Sequence, residues 1–210
     1  MRYEFSDYVV PKSNEGDFCA MAERLSYSKL KFVYDSEYYI ANAKNVSTKL
    51  SELSEKYEIS LGFAVICKSE KEISELRKRE KNVEIVYTSS KESDIRNIIQ
   101  KFKPYIITNL EFQSHDFMHH RAGINQVISK EMHDKNVTYG VSLQLLFSTK
   151  YKGEVIGRIK QNLSLAKKYK IGVKAFTLAD NPYKMKGPID VVSLLVCFGM
   201  DSKKAKESIM

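Results

Sequence analysis

The chain has 210 residues, a length that suits one domain. Hydrophobic residues make up 43% and charged residues 29%, a balance that supports a folded core and excludes a wholly disordered chain. Lys and Arg outnumber Asp and Glu by 34 to 26, and the net charge of +8 favours anionic partners such as RNA, DNA or acidic lipid headgroups.

The cysteines and the start of the chain bear on the cellular compartment. Cys19, Cys67 and Cys197 lie far apart in the sequence, so we expect three buried free thiols and a reducing compartment. The first residues carry charges where a secretory signal needs an apolar run. No segment approaches the roughly 18 apolar residues of a membrane span. We therefore expect a soluble, cytoplasmic protein with no membrane partner.

Strand-like and helix-like patterns alternate along the whole chain. Helices are indicated where apolar residues recur three and four positions apart. Three such sets are Val46, Leu50, Leu53 and Tyr57; Ile124, Val127, Ile128 and Met132; and Ile156, Ile159, Leu163 and Ala166. The predicted strands, short and rich in Val, Ile, Tyr and Phe, are Tyr3–Val9, Leu30–Tyr34, Ile59–Cys67, Val83–Tyr87, Tyr105–Thr108, Val137–Leu143 and Ile171–Thr177.

The number of strand–helix units decides between two kinds of parallel sheet. Seven units in 210 residues average about 30 residues each, which is the size of a βαβ unit. Strict alternation predicts a parallel sheet, either open or closed into a barrel. Seven units exceed the usual count of an open doubly wound sheet, so we predict an α/β fold: a small seven-stranded TIM-like β/α barrel formed by residues 1–210 as a single domain.

Several residues fit the ends of the predicted helices. Asn136 can take the left-handed conformation just past one helix. Pro188 suits the first position of a helix that runs to Cys197 and ends at Gly199. Asp201 or the next serine then caps a last short helix.

Common cofactor and nucleophile motifs are absent. The chain contains no Gly-x-x-x-x-Gly-Lys-Ser/Thr, no Gly-x-Gly-x-x-Gly and no Gly-x-Ser-x-Gly. We therefore expect this chain to bind no nucleotide cofactor and to use no serine-hydrolase chemistry.

Three of the four histidines lie in one segment, Ser-His-Asp-Phe-Met-His-His-Arg. It belongs to the longest connection after any predicted strand, at the carboxyl ends of the strands where β/α barrels keep their sites. On a helix, His115 and His119 would share a metal ion with Asp116 as a third ligand. Alternatively, the imidazoles pair with Asp116, with backbone or with phosphates. We favour the second interpretation, which makes His115 and His119 RNA- or partner-binding residues and predicts no metal site.

Metal-dependent phosphoesterases of the polymerase-and-histidinol-phosphatase type provide a comparison, because they also use a seven-stranded barrel. They carry a His-x-His pair at the end of the first strand, where this chain has Asp7-Tyr8-Val9. One carboxylate does not replace two imidazoles, so we assign no catalytic residues. A phosphoesterase on the same barrel is kept as the alternative function.

The segment after the histidines prepares a helix start. Gly123 allows close approach of the backbone, and a helix N-terminus attracts anions. Arg121 adds a planar cation that suits phosphate or carboxylate. Two interpretations are compatible: Arg121, Gly123 and Asn125 form an RNA- or partner-binding site, or Arg121 pairs with Asp116 and Asn125 ties down the loop.

The last predicted loop interleaves two lysines with an aromatic residue. Lys184 and Lys186 alternate with Tyr183 and Met185 before the proline that starts the next helix. Basic residues beside an aromatic ring suit RNA backbone and base contacts, and a plain loop-to-helix connection is the alternative.

Five short motifs lie in these two loops and elsewhere along the chain: Asp7 on the first strand, Arg121-x-Gly123-Ile124-Asn125-Gln126-Val127, Val141-Ser142-Leu143, Lys186-Gly187-Pro188-Ile189-Asp190-Val191 and Phe198-Gly199-Met200-Asp201. In these motifs and their order the chain resembles the archaeal and eukaryotic ribonuclease P protein component 3 family. Gln126 departs from the family, whose members commonly have His there.

The resemblance implies a barrel-like subunit of ribonuclease P, the ribonucleoprotein endonuclease that removes 5′ leaders from precursor tRNAs. It implies that the RNA subunit carries the catalytic site with bound Mg²⁺, so that the isolated protein is non-catalytic and holds no cofactor. The implied partners are ribonuclease P RNA, protein component 2 by direct pairing, other ribonuclease P proteins, and precursor tRNA through the holoenzyme. A barrel enzyme for small acidic substrates is the remaining class, and it would need a deep pocket of convergent cations.

Overall fold

The computed structural model describes residues 4–88, 92–112 and 123–210, apart from the side chains of 92–94 and 112. Seven parallel strands lie in chain order, each hydrogen-bonded to the next. They are β1 (Ser6–Val9), β2 (Lys29–Asp35), β3 (Ser60–Cys67), β4 (Ile85–Thr88), β5 (Ile106–Thr108), β6 (Thr138–Ser142) and β7 (Val173–Phe176).

Helices follow the strands and cover the outside of the sheet. The described α-helices are α1 (Glu15–Arg24), α2 (Ser36–Lys56), α3 (Glu70–Arg79), α4 (Glu92–Phe102), α5 (Gln126–Asp134), α6 (Leu143–Ser148), α7 (Lys152–Tyr169), α8 (Pro188–Cys197) and α9 (Ser202–Glu207). Short 3-10 turns occupy Leu110–Phe112 and Pro182–Lys184. Within 4–88, 92–112 and 123–210, every helix is too short or too polar to traverse a lipid bilayer.

The first and last strands meet, so that the sheet forms a nearly closed barrel and the predicted fold class is confirmed. The backbone N–H of Leu178 donates to the carbonyl of Tyr8 at 2.8 Å, and the N–H of Val10 donates to the carbonyl of Ala179 at 2.8 Å. Nearer the other end, the carbonyl of Ile209 accepts the N–H of Ser6 at 2.6 Å. The seam is therefore closed by direct strand contact at its carboxyl end and by the C-terminal residues at its amino end.

The barrel has a packed interior and an outer apolar layer. Tyr8 and Phe176 fill much of the interior, with ring centroids 5.1 Å apart. Gly140 faces them, and a Cβ on it would lie 2.8 Å from Cζ of Phe176 and 2.6 Å from Cγ2 of Ile106. The other buried interior residues are Val33, Ala64, Val86 and Leu178. Space inside the barrel thus requires glycine at position 140.

The amino-terminal mouth of the barrel is polar. The ammonium of Lys31 lies 2.5 Å from a carboxylate oxygen of Glu84, whose other oxygen accepts the Tyr8 hydroxyl at 2.6 Å. Lys174 donates to the hydroxyl of Ser6 at 2.9 Å, and burial together with Lys31 lowers the pKa of Lys174 to about 8.

Most predicted helix ends are confirmed. Asn136 has a φ of 55° and Gly199 a φ of 101°, both in the left-handed region. Helix α8 begins at Pro188, and the Asp201 side chain accepts the N–H groups of Lys203 and Lys204 at the start of α9.

Some boundaries and burial expectations were wrong. Leu143 begins α6 instead of ending β6, and Ile124 precedes α5 instead of lying within it. Val127 points to solvent because it lies off the face that Ile128 and Met132 bury. Cys19 and Cys67 are buried as expected, but Cys197 is exposed. Helix α8 carries apolar residues on both of its faces and buries only the face with Val191 and Leu195, and Cys197 lies on the other face.

Candidate nucleic-acid interface

The described segments that follow β1, β6 and β7 lie at one end of the barrel, which we call the C-terminal face. It contains the turn Val10–Ser13 after β1, the residues that follow β6 and the segment Thr177–Lys186 after β7. Because carboxyl ends of parallel strands share an edge, side chains from distant parts of the sequence meet there.

Asp180 links three of these segments. Its carboxylate accepts the ammonium of Lys184 at 2.7 Å, the amide of Gln144 at 2.7 Å and the ammonium of Lys12 at 3.1 Å. The hydrogen bond from Lys184, followed by those from Gln144 and Lys12, holds the pKa of Asp180 well below its usual range. Two cations therefore share one carboxylate, so that this cluster keeps a positive charge at the surface.

The two predicted lysines of the last loop lie on the C-terminal face beside exposed aromatic rings. Asn181 starts a 3-10 turn by accepting the N–H of Tyr183 at 3.0 Å, and the Tyr183 side chain is 83% exposed. The ammonium of Lys186 lies 5.5 Å from the ring centroid of Phe147, an exposed residue of α6. Cations alternate with aromatic rings over this surface, as in proteins that bind single-stranded nucleic acid.

Gly123 and Asn125 have structural roles at the start of α5. Gly123 has a φ of 80°, and a Cβ there would overlap the carbonyl oxygen of Leu110. The side chain of Asn125 accepts the N–H of Ile128 at 2.9 Å, which caps the helix. The predicted tie-down of this loop by Asn125 is thus observed as a helix cap, and Asn125 is also exposed.

His115, Asp116, His119 and Arg121 lie outside the described residues, and their roles stay predictions. Within 4–88, 92–112 and 123–210, no three His, Cys, Asp or Glu side chains converge closely enough to hold a metal ion. Asp7 accepts hydrogen bonds from the backbone N–H and the hydroxyl of Thr177 at 2.7 and 2.6 Å. The Asp7 carboxylate therefore connects the first strand to the residue that follows the last strand, where the barrel closes.

A buried polar network escaped the sequence analysis. The guanidinium of Arg158 donates to the carbonyl of Glu111 at 2.9 Å, and the hydroxyl of Tyr139 donates to the Glu111 carboxylate at 3.2 Å. Asn162 donates to that hydroxyl at 3.3 Å, and burial raises the pKa of Glu111 to about 7. Arg158 and Asn162 lie four residues apart on the buried side of α7. Two polar residues on an otherwise apolar helix face are the sequence pattern that could have indicated this network.

The fold and this end of the barrel define the class of protein: a parallel seven-stranded β/α barrel with a basic and aromatic C-terminal face. The chain belongs to the RNase P subunit p30 family, whose sequence model matches residues 5–210. It is accordingly a protein subunit of ribonuclease P, the tRNA-processing ribonucleoprotein, and associates with other components of that enzyme. The family resemblance found in the sequence is confirmed.

Individual relatives agree with the family. Ribonuclease P protein component 3 of Methanothermobacter thermautotrophicus is 24% identical over 90% of this chain and 77% of its own length. A chain in the cryo-EM structure of archaeal ribonuclease P with mature tRNA is similar in fold, with a TM-score of 0.76 at 18% identity over 96% of this chain and 87% of that one.

A metal-containing enzyme shares the barrel. Histidinol phosphate phosphatase from Lactococcus lactis, solved with zinc, L-histidinol and phosphate, has a TM-score of 0.64 at 11% identity over 94% of this chain and 95% of that one. Such a likeness shows the fold alone. The family match favours the ribonuclease P function over the phosphoesterase alternative.

Proposed function

We propose that this subunit supports 5′-leader removal from precursor tRNA by binding ribonuclease P RNA through its C-terminal face. The observation that carries the proposal is the sharing of Asp180 by Lys12 and Lys184, with Lys186, Tyr183 and Phe147 beside it. The uncompensated cations bind phosphates and release counterions, while the rings offer stacking surfaces to unpaired bases.

A salt titration tests the RNA surface. We expect log affinity for ribonuclease P RNA to fall linearly with log salt, and each lost phosphate contact to reduce the slope by roughly 0.7–0.9. The variant Lys184→Ala/Lys186→Ala should therefore lower the slope by about 1.4–1.8. Its matched control is Lys167→Ala/Lys203→Ala, because these lysines are exposed near the end of α7 and on α9, away from the C-terminal face.

Two outcomes contradict this assignment. Equal effects of the two double variants would mean that only net charge matters. A flat salt dependence of the wild-type chain would remove the electrostatic role and favour a barrel enzyme for small acidic substrates.

The proposal includes direct pairing with component 2 through α8. Ile189 is 75% exposed and Val196, two helical turns later, is also exposed, so α8 presents an apolar face to solvent. Protein interfaces are centred on such apolar surface. We expect Ile189→Asp/Val196→Asp to abolish copurification with component 2, whereas Val127→Asp, at a comparably exposed apolar residue of α5, should not. Normal copurification of the double variant would contradict the placement.

The chemistry is assigned to the RNA subunit with its Mg²⁺, acting in the cytoplasm. The purified chain, incubated with precursor tRNA and Mg²⁺, should show no cleavage. A 5′-leader cut that disappears on changing His115 or Asp116 would overturn this part of the proposal and restore the phosphoesterase alternative.

A further inference from the structure

A small cavity opens at the C-terminal face between the ends of β1 and β2. Its volume is about 220 Å³. That is below the roughly 300–1,000 Å³ of pockets that hold drug-sized ligands, so it has room for one small ring system. Its apolar lining comes from Val10, Pro11 and Val33, and its aromatic lining from Tyr34 and Tyr38.

The aromatic wall of the cavity is held in place. Tyr38 stacks on Tyr34 with ring centroids 5.6 Å apart and an angle of 20° between the planes, and 49% of Tyr38 is exposed. Tyr34 is buried, and its hydroxyl donates to Glu15 at 3.2 Å. Glu15 also accepts the ammonium of Lys49 at 2.5 Å. The exposed part of the Tyr38 ring is thus a preorganised stacking platform, which saves ordering entropy on binding.

Two acidic residues and one lysine line the cavity. Both carboxylate oxygens of Glu15 are engaged, one by the Tyr34 hydroxyl and the other by the Lys49 ammonium. The exposed carboxylate of Asp35 has one oxygen bonded to Lys68, and its other oxygen has the capacity to accept a hydrogen bond from an N–H group. Lys12 also lines the cavity, and its largely exposed ammonium reaches outward to Asp180 in the basic cluster. A nucleotide has the complementary arrangement, with its negative charge on the phosphate and N–H donors on the base.

We propose that this cavity takes one unpaired nucleobase bearing an exocyclic amino group, stacked on Tyr38, from the RNA bound at the C-terminal face. The inference rests on the proposed RNA binding. The phosphate of the same nucleotide lies outside, near Lys12 and Lys184. One carboxylate oxygen of Asp35 lies 3.0 Å from the ammonium of Lys68. The other oxygen accepts a hydrogen bond from the amino group of the base. Uracil, which has no amino group, is the base that fits least.

Short single-stranded oligo(A), oligo(C) and oligo(U), together with full ribonuclease P RNA, are the probes. The intact wild-type chain should bind oligo(A) and oligo(C) more tightly than oligo(U). Tyr38→Ala should weaken binding roughly 5- to 150-fold, the range that stacking of one base supplies, and remove the difference between oligonucleotides. Tyr38→Phe should restore both, since it keeps the ring. Tyr105→Ala is the matched control, because Tyr105 is 54% exposed at the opposite end of the barrel.

The results separate the cavity from the proposed function. If Tyr38→Ala binds every probe like the wild type while Lys184→Ala/Lys186→Ala binds weakly, the base site is wrong and the RNA surface stands. Equal affinity of the wild type for the three oligonucleotides overturns the choice of an amino-bearing base. If the wild type binds no RNA probe, the proposed function fails and the base site with it. Unchanged melting temperatures of the Tyr38 variants show that losses are not due to unfolding.

Discussion

Asp7 on the first strand is hydrogen-bonded to Thr177 just after the last one. One carboxylate oxygen accepts the N–H of Thr177 at 2.7 Å and the N–H of Tyr8 at 2.8 Å, and the other accepts the Thr177 hydroxyl at 2.6 Å. Both residues are buried. A single side chain therefore satisfies polar groups of both edges of the barrel seam.

This relationship predicts a pH-dependent stability. Burial raises the pKa of Asp7 from 3.8 to about 7, although the hydrogen bonds from Thr177 and Tyr8 oppose the rise. Between these pH values the folded chain keeps a proton on Asp7 that the unfolded chain releases. The contribution of Asp7 to the free energy of unfolding is therefore full below about pH 4 and is lost as the pH rises through 7. As the pH rises from 4 to 7, the free energy of unfolding of Asp7→Asn should increase relative to that of the wild type, by at most about 4 kcal/mol.

Urea unfolding of both proteins across this pH range measures the difference. The pKa of Glu111 is also raised, but its titration changes the stability of both proteins equally and cancels in the difference between them. A difference that stays constant from pH 4 to 8 would contradict the raised pKa of Asp7. As a control, Asp7→Ala should be destabilised at every pH, by about 1–3 kcal/mol for each buried donor left unpaired.

The glycines provide a matched pair of alanine substitutions. Gly140→Ala forces a methyl group against Ile106 and Phe176 inside the barrel and should cost about 1–3 kcal/mol. Gly157 lies within α7 with nothing within 4 Å of its would-be Cβ. Gly157→Ala should stabilise by about 0.5–1 kcal/mol, since alanine loses less backbone entropy in a helix. Melting curves of the two variants should shift in opposite directions, and a stable Gly140→Ala would show that the interior can relax.

Substitutions at Asn125 distinguish helix capping from RNA or partner contact. Asn125→Ala should lose about 0.5–2 kcal/mol because the N–H of Ile128 loses its acceptor. Asn125→Ser keeps a capping oxygen and should keep the stability. Holoenzyme reconstitution with Asn125→Ser then isolates the contact: a defect at normal melting temperature supports binding, and full activity assigns Asn125 to the cap alone.

Arg121 is tested by measuring stability and assembly on the same variant. If it contacts RNA or a partner, Arg121→Ala should melt like the wild type and weaken assembly by about 1.5–3 kcal/mol, as for a charge-assisted hydrogen bond. If it is a strut to Asp116, the melting temperature should fall instead. A large melting loss with normal reconstitution at low temperature would exclude the functional contact.

Local signals in the sequence predicted the fold because each strand pairs with its neighbour in the chain. Asn136, Pro188 and Gly199 were predictable for the same reason, since a helix end depends on a few adjacent residues. The exposure of Val127 and Cys197 was not predictable, because apolar composition alone does not distinguish a buried helix face from a solvent-exposed one.

Long-range pairings limited the prediction of the site. The pairing of Lys184 with Asp180 spans four residues and could be expected, whereas Lys12 reaches Asp180 only because the barrel closes. The seam role of Asp7 depends on a partner 170 positions away. The stacked Tyr34 and Tyr38 are close in sequence, but the cavity beside them needs the turn after β1 as its other wall.

Closure of the barrel by Ser208 and Ile209 has a consequence for biosynthesis. The carbonyls of these residues accept the N–H groups of Ala175 and Ser6, and Ser6 lies 203 positions before Ile209. A growing chain presents its first strand early, yet Ser6 of that strand acquires its bond to Ile209 only when residue 209 has left the ribosome. Until then its free edge can pair with other nascent chains, so crowded polysomes are where aggregation of this protein is expected.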